Sequence, residues 1–168
     1  KSYKRLNRIL DVGCGSGYFL DTAKKMGWDA HGTEYGQEAI DFCTSKGLRV
    51  REGDLLNQDF PSHSFDVITS FEVIEHLSFP IEHMAKIFDL LRPGGLFYVT
   101  TPNFNAVSRR LLKDTWTVIS YPEHLTYFTP RTLHFALNKI GFEKVKLSTT
   151  GISVDAIRNS LSKTRVVS

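Results

Sequence analysis

Cysteine is scarce in this chain of 168 residues: Cys14 and Cys43 are the only two. Their separation has no metal-ligand spacing, and two thiols make no disulfide framework, so a reduced, cytoplasmic setting is the expectation. Long apolar runs are missing as well. None approaches the roughly 18 residues of a membrane span, and no secretory signal is visible. Charge of one sign is equally thin. The 21 Lys and Arg residues against 18 Asp and Glu give a formal charge of +3, and the basic residues are scattered, which disfavours nucleic acid as a partner. There is no internal repeat and no low-complexity segment. What remains is an ordinary globular composition, 41% hydrophobic and 23% charged, in a length that favours one domain over residues 1–168. The chain opens on Lys1 rather than Met and stops abruptly at Ser168, as a piece of a longer protein would.

Strand and helix patterns alternate along the chain. Strands are predicted at Ile9–Val12, Asp29–Glu34, Arg49–Glu52, Phe65–Ser70, Leu96–Thr101 and Phe142–Thr149. Helices are predicted at Tyr18–Met26, Gln37–Lys46, Pro80–Leu91 and from Thr129-Pro130 to Ile140, with Gly27 and Gly47 as terminating glycines and Arg92-Pro93-Gly94-Gly95 as a turn. This alternation implies an α/β fold: a doubly wound, mostly parallel, Rossmann-like sheet with helices on both faces, a three-layer sandwich. Ligands of such sheets bind beyond the carboxyl ends of the strands, where the strand order reverses. Residues 102–128 are too long for an ordinary connection and carry Phe104, Trp116, Tyr121 and Tyr127. They form either a substrate wall or lid, or a surface subdomain packing its own aromatics.

The run LDVGCGSGYF at residues 10–19 follows the first strand. Its glycines, Gly13, Gly15 and Gly17, depart from the dinucleotide fingerprint G-x-G-x-x-G, because Tyr18 stands where the third glycine belongs. Asp11 is a second objection to a pyrophosphate, which it would repel. A cationic nucleotide without phosphate answers both. S-adenosylmethionine carries an ammonium, a sulfonium and one carboxylate, and acidic residues follow successive strands here: Asp11, Glu34, Asp54 and Glu72. Asp11 stands where it can anchor the ammonium. Glu34, 21 positions after Gly13, can accept both ribose hydroxyls, and Asp54 can accept from the adenine amino group or simply cap the next turn. Cys14 reads as a small loop residue rather than a nucleophile.

These residues carry a resemblance. LDVGCGSGYF, the strand-terminal Glu34, GDL at 53–55, FDVITSFEVIEHL at 65–77 and LLRPGGLFYVTTPN at 90–103 resemble, in order and spacing, the successive motifs of class I S-adenosylmethionine-dependent methyltransferases. The match runs from about Leu6 to Leu147 and is closest to the ubiquinone-biosynthesis type of small-molecule O-methyltransferase. The resemblance implies that Gly13, Cys14, Gly15 and Gly17 pass under the methionine part and that Glu34 binds the ribose. It implies too that Asp54 with Leu55 meets the adenine, Tyr35 stacks on or near it, and Phe71 lies near the reacting methyl. The family's sheet closes with an antiparallel strand, for which only the very short Thr164–Val167 offers itself after the helical pattern of residues 151–162.

FEVIEHL offers Glu72, Glu75 and His76, which share a face if the stretch turns helically. His124 is a fourth candidate. The set resembles metal-assisted O-methyltransferases, of the ubiquinone pathway and of the small-RNA 2′-O-methylating kind, so Mg²⁺ or Mn²⁺ is a candidate cofactor beside S-adenosylmethionine. The alternative is that the Glu-His pair packs locally without metal, with His76 or His124 as general base or substrate orienter. His31, His63, His83 and His134 show no partner pattern and read as structural. The reading is an enzyme that methylates an O or N atom of a small molecule. An RNA 2′-O-methyltransferase, an NAD-dependent oxidoreductase and a non-catalytic cofactor-binding module are its competitors.

Overall fold

The computed structural model describes residues 4–106, 109 and 122–149. Packing divides the chain into two compact units: Lys1–Ile74 with Phe79–Thr101, and Glu75–Ser78 with Pro102–Ser168.

The first unit holds a five-stranded, all-parallel sheet: β1 (Arg8–Val12), β2 (Asp29–Glu34), β3 (Arg49–Glu52), β4 (Phe65–Phe71) and β5 (Leu91–Thr100), in the order β3-β2-β1-β4-β5. The neighbouring strands β1 and β4 are buried almost throughout, as strands covered on both faces are, and carry Asp11, Asp66, Thr69 and Ser70 among their apolar residues. The edge strand β3 reads RVRE and is mostly exposed, a charged edge that discourages further pairing. Three helices connect the strands: α1 (Tyr18–Lys25), α2 (Gln37–Ser45) and α3 (Pro80–Leu90). The first crossovers step from β1 toward β3 and the last from β4 to β5. Right-handed crossovers running in opposite directions put helices on opposite faces of the sheet. The order reverses between β1 and β4, so the ligand-binding crevice belongs at the carboxyl ends of these two strands.

The core follows from the helical periodicity. Leu20 of α1 packs with Cys14, Cys43 and Leu48, while Ala23 packs with Ile9 and Val67. At the amino end of β4, Asp66 is fully buried and accepts from the backbone N–H groups of Arg5, Leu6 and Asn7 and from Arg92. It ties the lead segment to the sheet.

Two expected elements are corrected. Arg92–Gly95 does not separate α3 from a strand beginning at Leu96. Phe65 pairs with Leu91 and Val67 with Leu96, so residues 92–95 bulge out within a single longer strand, with Gly94 at φ 73° making the bend. Phe142–Thr149 forms no strand among the described residues. Lys144 lies at φ 55°, which breaks an extended run, and Leu147 is 41% exposed where a strand face would bury it.

In the second unit α4 (Pro130–Ile140) opens with a capping box, the Thr129 hydroxyl accepting from Thr132 N–H at 3.1 Å and the Thr132 hydroxyl accepting from Thr129 N–H at 2.9 Å. Asn103 bridges Phe128, and Phe104 and Tyr127 pack with ring centroids 5.2 Å apart. Trp116, Tyr121 and the segments 151–162 and 164–167 lie outside the described residues.

Candidate functional site

In the first unit the three loop glycines have different jobs. All have positive φ, which glycine adopts without strain. A Cβ on Gly13 would fall 2.5 Å from Val73 Cγ2, and one on Gly17 would fall 2.6 Å from Leu48 Cδ1. Those two are required by packing. A Cβ on Gly15 would meet nothing within 4 Å, so Gly15 is where the loop backbone faces open space. The loop is fastened to β2: the N–H groups of Gly13 and Cys14 both donate to the Thr33 carbonyl, at 2.9 and 3.0 Å.

Glu34, at the end of β2, closes this arrangement. Its Oε2 accepts from Gly15 N–H at 2.7 Å, and its Oε1 accepts from Tyr35 and Gly36 N–H at 2.8 and 3.0 Å. Three backbone donors fix the carboxylate against the loop and leave lone-pair capacity for a further donor. Asp11 lies on β1 opposite Gly32 and Thr69, is 2% exposed, and accepts from the Thr69 hydroxyl at 2.6 Å. Burial, opposed by the Thr69 bond and reinforced by the nearby Glu34 charge, pushes its carboxyl up to about 6. A carboxylate held this way gains from a cationic neighbour.

Asp54 follows β3 and caps a short 3₁₀ turn, Leu55–Asn57, by accepting from Leu56 N–H at 2.7 Å. Burial raises its carboxyl, but the Leu56 amide, the Tyr35 hydroxyl and His83 together hold it below the ordinary carboxylate range. The Tyr35 hydroxyl is pushed up to about 12 by burial and by the neighbouring Asp54. Asp11, Gly15, Glu34, Tyr35 and Asp54 thus form one connected set. The side chain of Leu55, next in sequence to Asp54, is buried in the core at 2% exposed. The Cys14 thiol is buried and driven far up by that burial and by Cys43, Asp11 and Glu34, which makes it inert. Phe71 ends β4 at the surface, in an aromatic row with Phe19 and Tyr98 at centroid distances of 5.2 and 5.6 Å.

The expected face of Glu72, Glu75 and His76 is corrected. Glu72 lies at φ 53° just past β4, with its N–H donating to the Thr100 carbonyl, and Ile74–His76 is a tight turn rather than a helix. No helical face aligns Glu72 with Glu75. In the second unit Glu75, His76 and His124 do converge, each offering one ligand atom within 4.8 Å of the others. The imidazoles meet edge to face at 4.6 Å. His76 Nδ1–H donates to the Glu123 carbonyl at 2.8 Å, which leaves Nε2 as the acceptor nitrogen of the neutral ring. The Glu75 carbonyl accepts from Leu125 and Thr126 N–H at 2.8 and 3.0 Å, which draws the His124 segment in.

His83, which the sequence offers only as a structural histidine, meets the candidate site through Asp54. It is 3% exposed on α3, and its Nε2 bonds Asp54 Oδ1 at 2.7 Å. The available signal is its place on the buried stripe with Met84, Ile87 and Leu90: a histidine on an apolar helix face must find a polar partner.

Comparison with known proteins bears on the family and the fold. The family model described as "Methyltransferase domain" matches residues 2–147. A probable S-adenosylmethionine-dependent methyltransferase of Mycolicibacterium smegmatis is 36% identical over 97 residues, which are 56% of this chain and 38% of that protein. A ubiquinone biosynthesis O-methyltransferase of Methylococcus capsulatus is 30% identical over 134 residues, 76% of this chain and 54% of that protein. The chain therefore spans about half the length of the curated relatives it matches. The crystal structure of a SAM-dependent methyltransferase from Archaeoglobus fulgidus shares the fold, with a TM-score of 0.71 at 22% identity over 95% of this chain and 80% of that one. The match takes in the sheet, its glycine loop and the acidic strand ends together, and the chain belongs to the methyltransferase-domain family, among the class I S-adenosylmethionine-dependent methyltransferases.

Proposed function

We propose that this domain binds S-adenosylmethionine through its first unit and transfers the methyl group to an O or N atom of a small molecule. The observation that carries the reading is the Gly15–Glu34–Asp11 arrangement at the switch point: an open glycine backbone beside two carboxylates suits a cationic nucleotide and repels a phosphate. Asp11 would take the ammonium, Glu34 the ribose hydroxyls, and Asp54 the adenine amino group, with Tyr35 against the base and Phe71 near the methyl. Gly13 and Gly17 would shape the loop beneath the methionine part.

In the transfer, a lone pair of the acceptor forms a bond to the methyl carbon as the carbon–sulfur bond breaks, and that electron pair stays on sulfur as a thioether. The leaving group is good, so much of the catalysis is alignment, worth up to roughly 7–11 kcal/mol. A hydroxyl acceptor must also lose its proton. His76 Nε2, its ring oriented by the Glu123 carbonyl, is the base proposed for it, with His124 orienting the substrate. The small-molecule acceptor is supported by the curated relative named for ubiquinone biosynthesis.

S-adenosylhomocysteine should raise the melting temperature of the protein, and Glu34→Ala should remove the shift. A folded sample that shows no shift would sink the cofactor reading.

A second reading of the histidine pair rests on its convergence with Glu75. One carboxylate oxygen and two imidazole nitrogens suit Mn²⁺ better than Mg²⁺, and the His76–Glu123 carbonyl bond is the outer support that metal-bound histidines use. A bound divalent cation would lower the pKa of an acceptor hydroxyl. Glu72 is outside the converging set and is not proposed as a ligand.

A further inference from the structure

We propose that His83 is the positioning residue for base recognition: from within α3 it holds Asp54 in the orientation that selects adenine. This rests on the cofactor reading above. His83 touches no ligand position itself. It is buried between two oxygen acceptors, with Nδ1 2.8 Å from the Phe79 carbonyl and Nε2 2.7 Å from Asp54 Oδ1. A carbonyl and a carboxylate only accept, so each ring nitrogen donates one hydrogen. The Phe79 carbonyl stands at the start of α3 and also receives His83 N–H at 3.1 Å, so the imidazole is anchored to the helix end that carries it.

The consequence falls on Asp54. The Leu56 amide and His83 both bond Oδ1, which uses that oxygen's lone pairs. Oδ2 is then the oxygen left for an incoming N–H donor, and the Tyr35 hydroxyl bonds the same carboxylate. The Asp54 side chain is 26% exposed, so a ligand can reach it, while His83 is sealed beneath. An acceptor fixed at that point favours a base with an exocyclic amino group and opposes one with a carbonyl there, because two acceptors would face each other. Without His83 the carboxylate keeps its cap bond to Leu56 and the Tyr35 hydroxyl but loses the bond by which α3 fixes Oδ1.

The test compares S-adenosylhomocysteine with S-inosylhomocysteine, which replaces the amino group by a carbonyl, using calorimetry on the whole chain. Wild type should bind the adenosyl compound more than about tenfold tighter. His83→Leu should bring the two affinities within about threefold, and His83→Gln, whose amide can still donate to Asp54, should restore most of the preference. A preference unchanged in a folded His83→Leu overturns the role of His83 and leaves the cofactor reading intact. Binding of neither compound by wild type overturns both. If His83→Leu does not fold, ¹⁵N spectra of the wild-type histidines decide. Hydrogens on both His83 nitrogens, with shifts that respond to the adenosyl compound, support the role; a singly protonated ring, or one blind to the ligand, overturns it.

Discussion

At Asp11 fold stability is set against the residue's proposed role as ammonium anchor. Its carboxyl is 2% exposed and titrates near 6, above the ~3.9 of an unfolded chain. The native state therefore holds more protons than the unfolded state between those values, and stability falls as pH rises through that window. Above it the ionised group costs about 3 kcal/mol. Asp11→Asn should raise the melting temperature at pH 8 and lose that advantage at pH 4. The same substitution removes the proposed ammonium anchor, so affinity for S-adenosylmethionine should drop sharply, and in wild type it should weaken as pH falls below about 6. A pH series of melting curves and titrations reads both effects. Gly15→Ala is a sharper probe of the loop. Its Cβ meets no protein atom within 4 Å, so the cost is limited to about 1 kcal/mol for the positive φ. Gly13→Ala collides with Val73 and should unfold the loop. A Gly15→Ala protein that stays folded but no longer binds S-adenosylhomocysteine would place the ligand over Gly15; undiminished binding would move it elsewhere.

At the scale of elements, strand ends divide the labour. The carboxyl ends of β1 and β2 and the turn after β3 carry Asp11, Glu34 and Asp54. The amino end of β4 carries Asp66, which serves only the fold. Burial raises its carboxyl, but Arg92 and the amides of Arg5, Leu6 and Asn7 hold it below the ordinary range. A group depressed in this way contributes stability above its unfolded pKa and loses it as pH falls through the folded value. Asp66→Ala leaves Arg92 and three amides without that carboxylate and should cost about 3–5 kcal/mol in denaturant unfolding. The folded fraction should bind S-adenosylhomocysteine as wild type does. A loss of affinity equal to that of Glu34→Ala would show that the lead segment belongs to the site.

At the scale of the whole molecule, the residues proposed for the cofactor and those proposed for the metal or base fall in separate compact units, which makes the two proposals separable by experiment. Hydrogen exchange with S-adenosylhomocysteine should protect residues 12–17 and 33–36, where the loop amides meet Thr33 and Glu34. Exchange with Mn²⁺ should protect residues 74–78 and 122–127 around Glu75, His76 and His124. Protection by the nucleoside alone would end the metal reading and leave His76 as a base. Protection by Mn²⁺ that His124→Ala abolishes would support it.

Most of the fold and half of the candidate site were legible in the residues themselves. Apolar periodicity, helix-stopping glycines and Pro80 at a helix start are local signals, and they placed four of the five strands within a residue or two at each end. They failed where a strand depends on its partner. The bulge at 92–95 is created by the register between β4 and β5, and Phe142–Thr149 has a strand's composition but joins no ladder among the described residues. The loop, Asp11, Glu34 and Asp54 were visible because a parallel sheet must deliver its strand ends to one side. The contact of His83 with Asp54 joins residues 29 positions apart and exists only because α3 packs its buried stripe beneath the turn after β3. The sequence by itself determined the class of fold and the kind of nucleotide it suits, since both follow from local pattern and from charge at strand ends. Which oxygen of each carboxylate is occupied, and which glycine faces open space, was decided only by the tertiary structure, because hydrogen-bond direction and close packing depend on groups far apart in the chain.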